Sequence, residues 1–308
     1  MALLGATLLA AGLALAGAAK SLELAFAAYA IGAGLGCAAA YAPSLAVVGG
    51  WFNTRRHAAL GVAATGTGCG TLILPPLAAG LIDAFGWRTA FPLLGLLCGA
   101  LLLIAAALVS PPPVRTAQAG RKLGDVVRSR PFLLLYASWG CATTALFVPF
   151  VFLPVHAAQL GVAPVAASAL LSLIGALSVA GRLGMGALGE KIGTLRLFRI
   201  AVAIMAGSYL IWLAAGGYTG LVVFAVCLGL GYGLRIALMP AVLIEFFGLA
   251  NLGAVLGTFF TASGVAAFIG PLAAAAIVDT TGGFAWGIGF ALALGTAGFL
   301  VLLPLRRA

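Results

Sequence analysis

Apolar stretches of about 20 residues, with few charged residues inside them, recur from one end of this 308-residue chain to the other. A helix of that length crosses about 30 Å of hydrocarbon, the thickness of a bilayer core. Hydrophobic residues make up 64% of the chain and charged residues 7%, whereas soluble domains carry about 25% charged residues. The chain is therefore predicted to be a polytopic membrane protein.

The apolar residues are continuous and rich in Ala, Leu and Gly, which is unlike the short alternating segments of a β-barrel. The sequence thus predicts an all-α helical bundle. Apolar runs bounded by helix breakers predict ten membrane helices. They lie at about 2–19, 22–49, 58–82, 88–109, 132–155, 164–188, 198–215, 219–242, 252–277 and 284–304.

One long polar stretch divides these helices into two groups. It runs from Ser110 to Arg130 and contains three consecutive prolines and five basic residues. We predict an N-terminal lobe of four helices over residues 1–110, a central cytoplasmic loop over 111–130 and a C-terminal lobe of six helices over 131–308.

The basic residues are unevenly divided between alternate loops, and such residues are retained on the cytoplasmic side of a membrane. Twelve of the 16 Lys and Arg residues lie in loops on one side, two on the other, and Arg182 and Arg235 lie inside helices. This bias predicts a cytoplasmic C-terminus in a bacterial-type inner or plasma membrane. It also accounts for the net charge of +10 without nucleic-acid binding.

An internal repeat relates the two ends of the chain. The segment 61–83 recurs in altered form as 257–279, and Gly34-Leu35-Gly36 recurs as Gly229-Leu230-Gly231, at an offset of about 195 residues. Predicted helices one to four thus repeat as seven to ten, in parallel orientation. The fifth and sixth helices lack a counterpart, which would precede Met1. We therefore expect a twelve-helix architecture of which ten helices are present; a family that naturally has ten is the alternative.

Two local motifs support a resemblance to a transporter family. Residues 186–193, Gly-Ala-Leu-Gly-Glu-Lys-Ile-Gly, followed by Arg196, resemble the cytoplasmic G-x-L-x-D-R-x-G-R-R loop of the major facilitator superfamily. Residues 51–70 are similar to the signature of its monocarboxylate porters, roughly Y-F-x-K-R-R-x-L-A-x-G-x-A-x-x-G-x-x-x-G. The match departs from that signature at Trp51, Thr54 and Ala58. The resemblance implies two six-helix halves and transport by alternating access.

Arg182 is the first candidate site residue, because a guanidinium at membrane depth is costly unless it faces a cavity or a partner. Glycines flank it at positions 181 and 184. The resemblance implies that Arg182 binds a substrate carboxylate, since it aligns with an arginine of the family's eighth helix that does so. The family often has an acidic residue one turn earlier, where this chain has Ser178.

Arg235 is the second candidate, because two buried cations without a buried anion point to an anionic ligand. The alternative for both arginines is that they snorkel toward the cytoplasm or pair with a helix carbonyl or Glu245. Tyr41 and Tyr232 are predicted to line the cavity, with packing as the alternative. His156, near the outer end of its helix, is a gating or proton candidate. No residue cluster indicates a metal, a cofactor or an enzyme.

These residues favour a secondary transporter of a small organic anion, most simply a monocarboxylate, in a lipid bilayer. Protons and a counter-anion both stay open as the driving ion, and the oligomeric state is not indicated. One alternative is a truncated or mis-started paralogue that is inactive alone. Another is a multidrug-type efflux transporter, which the absence of mid-membrane acidic residues disfavours.

Overall fold

The structure is a computed structural model that describes residues 2–52, 56–110, 123–248 and 252–305. Every regular element within these ranges is a helix. The eleven helices are α1 (Ala2–Ala18), α2 (Leu22–Trp51), α3 (Arg56–Phe85), α4 (Trp87–Leu108), α5 (Leu123–Val127), α6 (Arg130–Gln159), α7 (Pro164–Ile192), α8 (Thr194–Leu213), α9 (Tyr218–Phe247), α10 (Leu252–Thr281) and α11 (Phe284–Leu300).

Most of these helices have the length and composition of membrane spans. Within the described ranges, seven are long and apolar enough to cross a bilayer, and three further apolar segments are shorter. Large apolar side chains such as Leu96 and Phe268 are about 70% exposed, which suits residues that face lipid. The chain is therefore an integral, multi-pass, all-α membrane protein.

Each of the ten predicted spans corresponds to one long helix, and one short helix lies within the polar stretch 111–130. Residues 123–127 form the short helix α5, which buries Val126 to 1% exposure. Residues 111–122 lie outside the described residues. The apolar pattern did not indicate α5 because a helix of five residues is too short to show a period.

Several helices also extend beyond the predicted apolar spans. Helix α7 runs to Ile192 instead of 188 and ends at Gly193, whose φ of 89° favours glycine. The Gly193 N–H donates to the Gly189 carbonyl oxygen over 3.1 Å. Hydropathy marks the hydrocarbon region, whereas the end of a helix is fixed by such capping contacts.

Backbone packing divides the chain into two compact units, and the division falls within α3. Unit 1 comprises Met1–Asn53 and Cys69–Thr116, and unit 2 comprises Thr54–Gly68 and Ala117–Ala308. The first part of α3, residues 56–68, thus belongs to unit 2. The division into lobes at 110 and 131 stays a prediction.

In unit 1, α1 packs against both α2 and α4. The ring of Tyr29 in α2 stacks on Phe91 in α4 with centroids 6.1 Å apart. At the other end of α2, the indole N–H of Trp51 donates to the carbonyl oxygen of Ser110 over 2.9 Å. These contacts hold the first, second and fourth helices together.

In unit 2, α9 packs closely against α7 and α8. A Cβ at Gly181 in α7 would lie 2.5 Å from the Leu230 carbonyl oxygen of α9, so the two backbones nearly touch. On the other side of α9, Phe224 stacks on Trp212 of α8 with ring centroids 4.8 Å apart. This packing places Arg182 of α7 beside the middle of α9.

Candidate functional site

Arg182 is buried within unit 2 and is held by the first part of α3. Its side chain is 1% exposed. Its Nη1 donates to the carbonyl oxygen of Ala64 over 2.9 Å and to Oγ1 of Thr67 over 2.5 Å. A hydrogen bond to a helix carbonyl is one alternative that the sequence leaves open for Arg182. The structure contains such a bond, and its carbonyl belongs to another helix, α3.

The partners of Arg182 neutralise none of its charge, because both are neutral oxygens. Its Nε is buried and has no hydrogen-bond partner among the described residues. The ring of Tyr232 lies on another side, with its centroid 5.5 Å from the guanidinium carbon. Burial of a charged group is costly without compensation, and Arg182 keeps both an unused donor and an uncompensated positive charge.

Ser178 occupies the position where the resemblance leads one to expect an acidic residue. It is completely buried, and its hydroxyl donates to the Gly175 carbonyl oxygen of the same helix over 2.8 Å. The hydroxyl is thus satisfied within α7. It supplies no negative charge to Arg182.

Arg235 is buried to the same extent and connects α9 to α6. Its Nη2 donates to the Trp139 carbonyl oxygen over 3.0 Å and to Oγ1 of Thr143 over 2.5 Å. The guanidinium carbon lies 3.9 Å from the centroid of the Trp139 ring, a cation–π contact. The Trp139 indole N–H in turn donates to Oγ of Ser263 in α10 over 2.7 Å. Arg235 thus belongs to a polar connection between three helices.

Tyr232 relates the two arginines to each other. It lies three residues before Arg235 on α9, and residues at this spacing share a helix face. Its ring lies against Arg182, with the centroid 5.5 Å from the guanidinium carbon. Phe150 of α6 packs against it edge-on, with centroids 6.5 Å apart. The structure therefore brings three of the five predicted site residues, Arg182, Tyr232 and Arg235, into one part of unit 2.

Two buried polar atoms of α8 and α9 have no hydrogen-bond partner among the described residues. Tyr209 of α8 is fully buried, and its hydroxyl has no hydrogen-bond partner among the described residues. The Nε of Arg235 is also without a partner in the described part of the chain. The two hydrogen-bond partners of Arg235, the Trp139 carbonyl oxygen and Oγ1 of Thr143, are neutral and supply no compensating negative charge.

The other two candidates lie elsewhere. The Nδ1 atom of His156 accepts a hydrogen bond from the indole N–H of Trp212 over 3.0 Å, and its ring packs against Phe284. That nitrogen is therefore unprotonated in this arrangement. Tyr41 lies half-buried in α2, in unit 1. The gating or proton role of His156 and the lining role of Tyr41 stay predictions.

Sequence reasoning missed the residues that hold the arginines, namely Ala64, Thr67, Trp139 and Thr143. A hydroxyl within an apolar helix is the one sequence feature that could have indicated Thr67 and Thr143. For metal binding, no group of three or more His, Cys, Asp or Glu side chains occurs among the described residues.

Thr143→Val is expected to destabilise the protein, because it leaves Nη2 of Arg235 with one acceptor instead of two. The loss of a hydrogen bond to a charged group costs about 1.5–3 kcal/mol. We expect a lower midpoint of thermal unfolding in detergent. Thr144→Val is the matched control, since the Thr144 hydroxyl bonds to Gly140 of its own helix. Equal midpoints for the two variants would contradict this role of Thr143.

A family model and several known proteins match this chain over most of its length. A family model described as Major Facilitator Superfamily matches residues 1–220 and 157–308. The chain is 34% identical to monocarboxylate transporter 3 of Rattus norvegicus over 297 residues, 90% of this chain and 60% of that protein. It is 29% identical to monocarboxylate transporter 12 of the same organism over 322 residues, 92% of this chain and 66% of that protein.

Solved structures share the fold. The Escherichia coli fucose:proton symporter FucP superimposes with a TM-score of 0.78 at 18% identity, covering 100% of this chain and 83% of the symporter. The human organic anion transporter MFSD10 superimposes with a TM-score of 0.76 at 17% identity, covering 98% and 76%. At these identities the likeness shows the fold alone.

The chain spans 60% and 66% of the length of the two curated relatives described above. The relatives and the structures of this fold are transporters and not enzymes. The family model matches along the whole chain, and its all-α, membrane-spanning fold agrees with that match. The chain therefore belongs to the Major Facilitator Superfamily.

Proposed function

We propose that this protein is a secondary transporter of a small organic anion, most simply a monocarboxylate, and that Arg182 binds the carboxylate. The observation that carries this proposal is the environment of Arg182. A guanidinium that is 1% exposed donates only to neutral oxygens and keeps a buried Nε without a partner among the described residues. A carboxylate would supply the missing charge and accept the unused donors.

The relatives support the same substrate class. Two of them are named monocarboxylate transporters, and one of the solved structures of this fold is named an organic anion transporter. The basic surroundings agree with an anion, because Arg235 adds a second buried positive charge in the same unit. A cationic substrate would be repelled by both guanidinium groups.

The proposed mechanism is alternating access between the two helical lobes. Binding of an anion removes the cost of keeping Arg182 charged and buried, so the ligand stabilises those states in which it contacts Arg182 more than those in which it does not. Such a difference in affinity is what allows a ligand to shift a conformational equilibrium. Tyr232 would line the substrate path beside the bound carboxylate, and Arg235 would add to the positive potential at that site.

The membrane orientation and the driving ion are part of the proposal. The bias of basic residues supports a cytoplasmic C-terminus in an inner or plasma membrane. A proton carried with the anion and an exchanged counter-anion would both keep transport electrically balanced. His156 is the candidate for a proton-linked role.

Uptake into proteoliposomes that contain the purified 308-residue chain tests this proposal. We expect radiolabelled lactate or pyruvate to accumulate above the level in empty liposomes, and unlabelled monocarboxylates to compete. Lactamide, which has the same shape without the charge, is expected not to compete. Uptake of a lipophilic cation without any uptake of monocarboxylate would contradict the proposal and favour an efflux transporter.

Varying the two gradients in the same vesicles identifies the driving ion. Uptake that responds to an inward proton gradient indicates symport with protons. Uptake that responds only to a preloaded anion indicates exchange. A proton-driven rate that persists unchanged in a His156→Gln variant would contradict the proton-linked role of His156.

A further inference from the structure

We infer that Thr67 positions Arg182 for its substrate: it holds Nη1 so that the guanidinium edge formed by Nε and Nη2 is presented to a carboxylate. This inference rests on the proposed function of Arg182. Thr67 itself would not contact the substrate.

The first step of the argument is the hydrogen bonding of the Thr67 hydroxyl. Its own proton goes to the Ala64 carbonyl oxygen over 2.8 Å. The hydroxyl oxygen then has only lone pairs to offer, and it accepts from Nη1 of Arg182 over 2.5 Å. The Ala64 carbonyl oxygen accepts from the same Nη1 over 2.9 Å. These three groups form a closed triangle in which Thr67 acts on Arg182 purely as an acceptor.

The second step is the geometry of the guanidinium group. Its five N–H donors lie in one plane, and a carboxylate binds most strongly when it accepts from two parallel N–H groups. Within this plane, Nη1 lies on the same side of the Nε–Cζ bond as Cδ, and the Nε hydrogen lies on the other side. The Nε and Nη2 hydrogens therefore form the edge opposite to the Nη1 contacts. The contacts to α3 therefore use the side of Arg182 that leaves this fork intact, and Nε is the atom left without a partner among the described residues.

The third step is that the backbone of α3 approaches Arg182 closely at this point. Gly68 follows Thr67, and a Cβ at Gly68 would lie 2.8 Å from Nη1 of Arg182 and 2.6 Å from Cγ2 of Val179. Contacts this short do not occur with real side chains, so a side chain at position 68 would force Val179, Arg182 or the backbone of α3 to move. Gly68 thus leaves room for the guanidinium of Arg182, and the hydroxyl of Thr67 accepts a hydrogen bond from the same group.

The test is the carboxylate affinity of Thr67→Val, measured as the KM and maximal rate of lactate uptake. We expect KM to rise about tenfold, the effect of weakening one charged hydrogen-bonding arrangement. The maximal rate per folded protein should change much less. Thr67→Ser keeps the hydroxyl and should restore the KM. Thr65→Val is the matched control, because the Thr65 hydroxyl bonds to Gly61 of its own helix.

Gly68→Ala provides a second, independent variant. Its added methyl group should raise KM without removing any hydrogen-bonding group. An unchanged KM in both Thr67→Val and Gly68→Ala would overturn the inference. A lower KM in Thr67→Val would overturn it too, because Thr67 would then compete with the substrate for Arg182.

These outcomes separate the inference from the proposed function. If Arg182→Lys abolishes lactate uptake while Thr67→Val keeps the KM of the unmodified protein, only the positioning role fails. If the unmodified chain takes up no carboxylate, both the proposed function and the positioning role of Thr67 fail.

Discussion

Arg182→Lys is expected to reduce lactate uptake by tenfold or more while the protein stays folded. Lysine keeps the positive charge, but its ammonium is a single point of charge and lacks the planar fork of donors. It cannot donate to Ala64 and Thr67 and also bind a carboxylate through two parallel bonds. One lost hydrogen bond to a charged group corresponds to about 1.5–3 kcal/mol, or roughly a tenfold to hundredfold loss of affinity.

The measurement is the initial rate of uptake over a range of lactate concentrations, normalised to the reconstituted protein. Arg88→Lys is the matched control, because Arg88 is exposed and lies over the ring of Trp87 at 4.4 Å. Arg182→Gln removes the charge as well and should be at least as impaired. Uptake kinetics in Arg182→Lys equal to those of Arg88→Lys would contradict the role of Arg182 in binding.

The sequence was sufficient to predict the membrane helices, because the length of an apolar run matches the thickness of the hydrocarbon core that the helix crosses. The hydrocarbon core of a bilayer contains no water that could bond to backbone groups. Each apolar run must therefore form a helix that satisfies its own backbone hydrogen bonds. Helix α10, for example, was predicted at 252–277 and runs over Leu252–Thr281. The exact ends depend on individual caps outside the hydrocarbon region, which hydropathy does not record.

The two buried arginines could also be predicted, since a guanidinium inside an apolar helix is conspicuous. Their partners could not. Among the described residues, Thr65 and Thr144 bond only to carbonyl groups of their own helices, whereas Thr67 and Thr143 accept from an arginine of another helix. All four look alike in the sequence. Only the rotation and approach of the helices decide which hydroxyl meets a guanidinium.

Both arginines are held by the same arrangement. In each case one terminal nitrogen donates to a helix carbonyl and to the threonine hydroxyl about one turn later, while an aromatic ring lies against the guanidinium. The surroundings differ in their consequences, however. Arg235 is bound within α6 and α9 of unit 2, and its ring contact at 3.9 Å is close. Tyr232 lies farther from Arg182, at 5.5 Å, so Arg182 is the arginine with the looser aromatic contact.

Gly233→Ala is expected to destabilise unit 2 strongly. A Cβ at Gly233 in α9 would overlap the carbonyl oxygen of Ser178 in α7. Backbone lies on both sides of this contact, so no flexible side chain can move aside. Overpacking of this kind costs about 1–3 kcal/mol and sometimes more. Thermal unfolding in detergent, followed by tryptophan fluorescence and by size-exclusion profile, should show a lower midpoint and less monodisperse protein.

Gly184→Ala is the matched control for this variant, since a Cβ at Gly184 in α7 meets nothing within 4 Å. Alanine is also a better helix former than glycine by about 1 kcal/mol, so Gly184→Ala should be neutral or stabilising. Equal midpoints for the two variants would contradict the close approach of α7 and α9. That approach matters for binding because Ser178 lies one turn before Arg182, and Gly233 directly follows Tyr232. Any Gly233→Ala protein that folds must therefore separate Tyr232 from Arg182, and we expect its KM for lactate to rise as well.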